Sequence, residues 1–240
     1  MNETVDILAI GAHPDDVELS CSGTLIKEVE KGRSVALVDL TRGELGTRGS
    51  GELRLKEAAA AAEVIGAQDR VNLDLGDGWF ENNQENKIKI IEQIRRFRPK
   101  VVLMNAVEDR HIDHGRASTL ASEAVFLSGL RKIETQWNGE EQEAYRPPTM
   151  LHYIQYFYLK PDVVVDISEA FPKKLEAIKA FKSQFFDPDS NEPESVISTK
   201  KFWHVIESRA REMGSIIQCE YAEGFNVVRP IGVETVMELV

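Results

Sequence analysis

A chain of 240 residues, 42% hydrophobic and 29% charged, is long enough to bury a full α/β core and has the composition of a globular enzyme. Its net charge of -11 argues against nucleic acid as a main partner, because phosphate binding draws on excess Lys and Arg. No run approaches the roughly 20 apolar residues of a membrane span. The acidic start lacks the basic lead of a signal peptide, and Cys21 and Cys219 alone make no disulfide scaffold. A cytoplasmic protein without a membrane partner is expected.

Strands and helices alternate along the chain. Residues 5–12 form an apolar run broken only by Asp6, and a helical stretch from about 18 to 31 closes at Gly32. Residues 34–40 read as a second strand and lead into a polar, glycine-rich loop, 41–51. Residues 52–65 carry five consecutive alanines and stop at Gly66, as a strong helix does. A third strand is expected at 71–75, a helix at 86–97 ahead of Pro99, a fourth strand at 100–105 and a helix at 115–130. Strands spaced by such helices build right-handed βαβ units. The second half is less regular: an aromatic-rich segment at 150–159, a strand at 162–167, and helices near 169–183 and 199–213. Between the last two lies a loop, 187–198, rich in Asp, Pro, Ser and Asn, which suits a solvated connection or a lid. The pattern predicts an α/β, Rossmann-like fold, a mostly parallel sheet with flanking helices, as one domain over residues 1–240.

Two clusters carry the chemistry. His13-Pro14-Asp15-Asp16 follows the first strand and His111-Ile112-Asp113-His114 the fourth, which gathers three of the chain's five histidines with three carboxylates. In a doubly wound sheet the first and fourth strands commonly flank the crevice where the strand order reverses, so both clusters would open into one cleft. Helix capping accounts for Pro14 and one aspartate, but not for a histidine beside two carboxylates. Imidazoles and carboxylates brought together suit a divalent metal. The loop 43–51 has neither GxGxxG nor a GK[ST] ending, so a nucleotide cradle is not expected. Cys21 reads as a small buried residue.

AHPDDVELSCSGTL (12–25), DLTRGELGTRG (39–49) and DRHIDHGRA (109–117) resemble the LmbE-like, PIG-L-type zinc de-N-acetylases, and the resemblance runs over most of the chain. FKSQFF (181–186) and ESRAREMG with EYAEGF (207–214, 220–225) look more specifically like the bacillithiol-pathway branch, whose members remove acetate from N-acetylglucosaminyl-L-malate. The resemblance implies His13, Asp16 and His114 as metal ligands and Asp15 as general base. It implies Zn²⁺, with Fe²⁺ or another divalent ion as an alternative, and a homo-oligomer. Two imidazoles and a carboxylate leave a position open for water, as catalytic zinc sites do. His111 is then expected to support the oxyanion, Asp113 to orient a histidine, and Arg54 and Arg110 to bind substrate carboxylates, with Arg42 and Arg48 in reserve. Ile112 stands where the family usually has proline, which touches loop rigidity and no chemistry. Two rival readings stay open: the same chemistry on a chitobiose-type or mycothiol-like precursor, and a non-catalytic Rossmann-like binding module.

Overall fold

A computed structural model describes residues 3–188 and 190–239. β1 (Ile7–Gly11) runs into two short helices, α1 (Asp16–Ser20) and α2 (Ser22–Glu30), followed by β2 (Val35–Asp39), α3 (Gly51–Ile65), β3 (Asp69–Asn72), α4 (Gln84–Phe97), β4 (Val101–Met104) and α5 (Ile112–Ser128). A small hairpin, β5 (Gln136–Trp137) and β6 (Glu140–Glu141), precedes β7 (Thr149–Tyr153), β8 (Val163–Asp166), α6 (Phe171–Lys179), α7 (Lys200–Ile217) and β9 (Ala222–Val227). The seven-stranded sheet has the order β3-β2-β1-β4-β7-β9-β8. β3, β2, β1, β4 and β7 are mutually parallel, whereas β9 lies antiparallel between β7 and β8.

Alternation along the central strands builds two cores. Leu8 and Ile10 of β1 face Ile90, Ile94, Leu120 and Ala121 of α4 and α5. Ile7 and Ala9 face the other side, against Leu25 and Ile26 of α2, Ile65 of α3 and Phe171 of α6. All of these side chains except Ile7 and Phe171 are essentially sealed from solvent, so the sheet is buried on both faces as parallel sheets require. β1 pairs with β4 in the register Ile7↔Val101 to Ala9↔Leu103. That pairing brings the two histidine clusters to neighbouring strand ends. Among the described residues no helix is long and apolar enough to cross a membrane.

Four expectations shift. The helix expected at 18–31 is two, broken at Cys21, whose φ of -140° is not helical; Cys21 itself is fully buried. α5 starts at Ile112, so the second histidine cluster is a helix entry with His111 as its N-cap rather than a loop before residue 115. β3 covers Asp69–Asn72 and not 71–75, because its hydrogen bonds follow the register of β2. β9 was not legible: Glu223 and Gly224 interrupt its apolar pattern, and only the fold supplies Glu223 with buried partners.

Candidate active site

The site begins with a backbone departure. After β1 the chain turns sharply at Asp15, whose φ of 118° lies in a region that side chains other than glycine seldom adopt. Asp15 occupies the N-cap of α1 yet makes no side-chain capping bond. Its carboxylate turns instead to Arg54 of α3, with Oδ2 accepting from Nη2 at 2.6 Å. Arg54 also donates from Nη1 to the Gly43 carbonyl at 3.1 Å. Gly43 has a φ of +63°, and a Cβ there would collide with the guanidinium, so only glycine fits.

Asp16 lies between the clusters. His114 Nε2 is 3.0 Å from Asp16 Oδ1, and His13 Nδ1 is 3.6 Å from Asp16 Oδ2. Asn105 Nδ2 donates to Oδ2 at 3.0 Å and Gln155 Nε2 to Oδ1 at 3.1 Å, which fixes the carboxylate's orientation. Ring nitrogens of His13, His111 and His114 all lie within 4.8 Å of one another. Each outer nitrogen of the two histidines facing Asp16 rests on a buried carboxylate. His13 Nε2 is 3.0 Å from Asp77 Oδ1 and 3.2 Å from Asp113 Oδ2. His114 Nδ1 is 2.5 Å from Asp109 Oδ2. Histidines that bind metals are oriented in this way by carboxylates on the far nitrogen, so the donor set fits a divalent ion held by His13, Asp16 and His114.

These contacts set the charges. Burial opposes ionisation of Asp16, yet His114 and His13 hold its carboxyl well below the usual range. Burial likewise disfavours a charged His13, but Asp113, Asp16 and Asp77 keep its imidazole well above the ordinary value. His114 is pushed up to about 9 by Asp16 and Asp109 against the pull of burial. Asp15 moves the other way: burial raises it to about 6, with Arg54 as the main opposing influence. Burial and the two neighbouring imidazoles lower His111. Its Nδ1 accepts from the Asp113 backbone N–H at 3.2 Å, which leaves the ring proton on Nε2.

Most of these groups face one pocket of about 1050 Å³. His13, Asp15, Asp16, His111 and His114 line it directly, with Arg54 and Arg110. Asp113 stands behind His13, fully buried, and also accepts from Arg116 at 2.8 Å. Arg110 is exposed and lies over the Tyr156 ring at 5.1 Å; among the described residues it has no carboxylate partner. Arg54 is held by Asp15 and the Gly43 carbonyl, and its buried Nε has no hydrogen-bond partner among the described residues. Arg48 is likewise bound, to Ser190 and Glu192. Arg42 is engaged by Asp74 at 2.8 Å.

Asp77 and Asp109 escaped the sequence reading. Asp77 sits in a glycine-flanked turn and reaches His13 across 64 positions, so no local spacing announces it. Asp109 opens the DRHIDH run but, two residues ahead of the histidine cluster, read as connection. The loop 187–198 does reach the pocket, through Glu194, Ser195, Val196 and Ile197. FKSQFF is an anchor: Ser183 binds Glu57 through its N–H and Oγ, each at 2.7 Å, and Gln184 donates to the Arg48 carbonyl.

Comparison with known proteins agrees with this architecture. The family model described as PIG-L, GlcNAc-PI de-N-acetylase, matches residues 8–125, which run from β1 to α5. A diacetylchitobiose deacetylase of Thermococcus kodakarensis is 31% identical over 95% of this chain and 84% of its own. A probable N-acetyl-alpha-D-glucosaminyl L-malate deacetylase 2 of Bacillus anthracis is 26% identical over 75% of this chain and 81% of its own. The crystal structure of a conserved protein from Thermus thermophilus superposes with a TM-score of 0.83 at 35% identity, covering 97% of this chain and 98% of that one. The chain belongs to the PIG-L family of LmbE-like deacetylases, amide-hydrolysing enzymes.

Proposed function

We propose that this enzyme removes acetate from an N-acetylglucosaminyl conjugate with the help of a divalent metal held by His13, Asp16 and His114. The observation that carries the reading is the division of labour between adjacent aspartates. Asp16 faces two imidazoles that are buttressed by Asp77, Asp113 and Asp109, whereas Asp15 stands apart on Arg54. A Zn²⁺ or Fe²⁺ ion there would polarise the amide carbonyl and lower the pKa of a water to about 7. Asp15, buried and raised to about 6, is poised near neutral pH to accept the water's proton and return it to the departing nitrogen. His111, neutral with its proton on Nε2, donates a hydrogen bond to the oxyanion; removing such a donor costs about 3 kcal/mol of transition-state stabilisation. Asp113 keeps His13 in the tautomer that presents Nδ1 to the metal.

For the aglycone, the preferred reading is the malate of N-acetyl-α-D-glucosaminyl L-malate, with Arg110 as its carboxylate partner at the mouth. The relative from Thermococcus, with its longer and closer match, favours a chitobiose-type sugar as the second reading. Free-amine release from both compounds, by metal-loaded and chelated enzyme, tests the proposal. Metal-dependent turnover of the malate conjugate, with Arg110→Ala raising its KM about 10-fold or more and leaving diacetylchitobiose little affected, is the expected result. Turnover of diacetylchitobiose alone would move the assignment to neutral sugars, and turnover of neither would discard both substrates.

A further inference from the structure

The polar half of the pocket accounts for only part of it. Its volume, about 1050 Å³, is at the upper end of the roughly 300–1,000 Å³ of small-ligand sites. The remainder runs inward between α7 and the sheet. One stripe of α7, Phe202, Ile206, Ala210 and Met213, forms one wall, all four buried and all lining the pocket. Leu19 of α1, Ile154 just after β7 and Gly224 of β9 line the same part of the pocket. A Cβ on Gly224 would press on Met213 Sδ and Ile154 Cδ1, so the glycine lets β9 approach closely there. The sequence segments 207–214 and 220–225, which supply nothing to the histidine cluster, build this part of the pocket.

Two charged side chains border the arm, and they are partners of each other. Lys174 Nζ pairs with Glu223 Oε1 and also donates to the Leu19 carbonyl at 2.9 Å. Glu223 accepts from the backbone N–H groups of Gly23 and Thr24, at 3.0 and 2.7 Å, and from Thr24 Oγ1 at 2.6 Å. A sugar hydroxyl placed here would leave water for partners already taken, which is unfavourable. A hydrocarbon chain would lose nothing and gain contact.

We propose that this arm receives the acyl group of the amide, and that besides acetyl the enzyme accepts, and turns over faster, N-acyl amino sugars whose acyl chain is longer. The inference rests on the deacylase reading and deepens it. The sugar and its aglycone have hydroxyls and charge to satisfy, and they match the part of the pocket that carries the exposed Arg110. The apolar arm shares the pocket with Asp16 and Ser20, which leaves it to the apolar acyl chain of the amide.

The test is kcat/KM on methyl glucosaminides carrying N-acetyl, N-butanoyl and N-hexanoyl groups. Alkyl glycosides of N-acetylglucosamine, methyl to hexyl, run as the competing series. The expected result is a rise of about threefold to fourfold per added methylene in the acyl series and a flat alkyl series. Ala210→Leu should bring the hexanoyl-to-acetyl ratio down towards one. Val205→Trp, at a partly exposed position on the same wall, should do the same should the first variant fold poorly. Acetyl turnover with a flat or falling acyl series would overturn the proposal, as would a rise confined to the alkyl glycosides. If none of the acyl compounds is hydrolysed, the deacylase reading fails by itself. Calorimetric binding of acetate, butanoate and hexanoate then decides the arm, rising affinity supporting it and equal affinities refuting it.

Discussion

Asp15 stands at a strained position, since its φ of 118° carries a cost of about 1–3 kcal/mol that persists only where the surroundings enforce it. The enforcing contact is Arg54, itself fitted over Gly43. Asp15→Asn should therefore lower turnover by about 10²- to 10⁴-fold while metal content stays stoichiometric; metal lost together with activity would place Asp15 among the ligands instead. Asp77 and Asp109 act through the histidines. Replacing either with Ala is expected to weaken metal binding by about 10- to 100-fold, read by competition with a chromogenic chelator, and unchanged affinity would reduce them to ordinary buried ion pairs. The six motif positions were legible because each cluster falls within four consecutive residues at a strand end. Asp77 and Asp109 were not, because what marks them is a buried contact to a histidine and no sequence spacing encodes it. Arg54 was singled out by its place in the family resemblance, and only packing showed that it also pairs with Asp15.

At the level of elements, a buried polar tie holds a strand to two helices. Glu223 of β9 receives the N-terminal N–H groups of α2, where an anion complements the helix dipole, and Lys174 of α6 neutralises it. Glu223→Ala would strand a buried ammonium, and a loss of about 3–5 kcal/mol in chemical denaturation is expected. A loss under about 1 kcal/mol would show that the tie is solvated. Asp6, the one charge in the first strand's apolar run, binds Lys100 at 2.7 Å and the Ser34 N–H at 2.9 Å, and these contacts lower its pKa from 3.8 to about 2. Because the folded value is the lower one, its contribution is complete above pH 3.8 and disappears as pH falls through about 2. The stability gap between the parent and Asp6→Ala should therefore narrow over that window in pH-dependent denaturation; a gap constant with pH would assign the effect to packing. Helices and parallel strands were legible here because their apolar periods are long. β9 and the break at Cys21 were not, since one depends on a distant Lys and the other on the turn that presents Asp15 and Asp16.

Across the whole molecule, the sheet order brings β1 and β4 together and thereby unites residues almost a hundred positions apart. This juxtaposition was the central inference available from sequence, through the rule that ligands gather at the carboxyl ends of strands where the order reverses. The second half was harder to read because its strands are short and mixed in direction, and it is this half, in α7 and β9, that shapes the inner pocket. The proposed function depends on the His13, Asp16 and His114 constellation holding a divalent metal for amide hydrolysis. The most direct test is to strip the protein with a chelator and titrate Zn²⁺ back while following amine release from an N-acetylglucosaminyl substrate. Activity that is absent in the stripped enzyme and saturates at one ion per chain is the predicted result. Full activity in the stripped enzyme, or activity indifferent to His114→Ala, would contradict it.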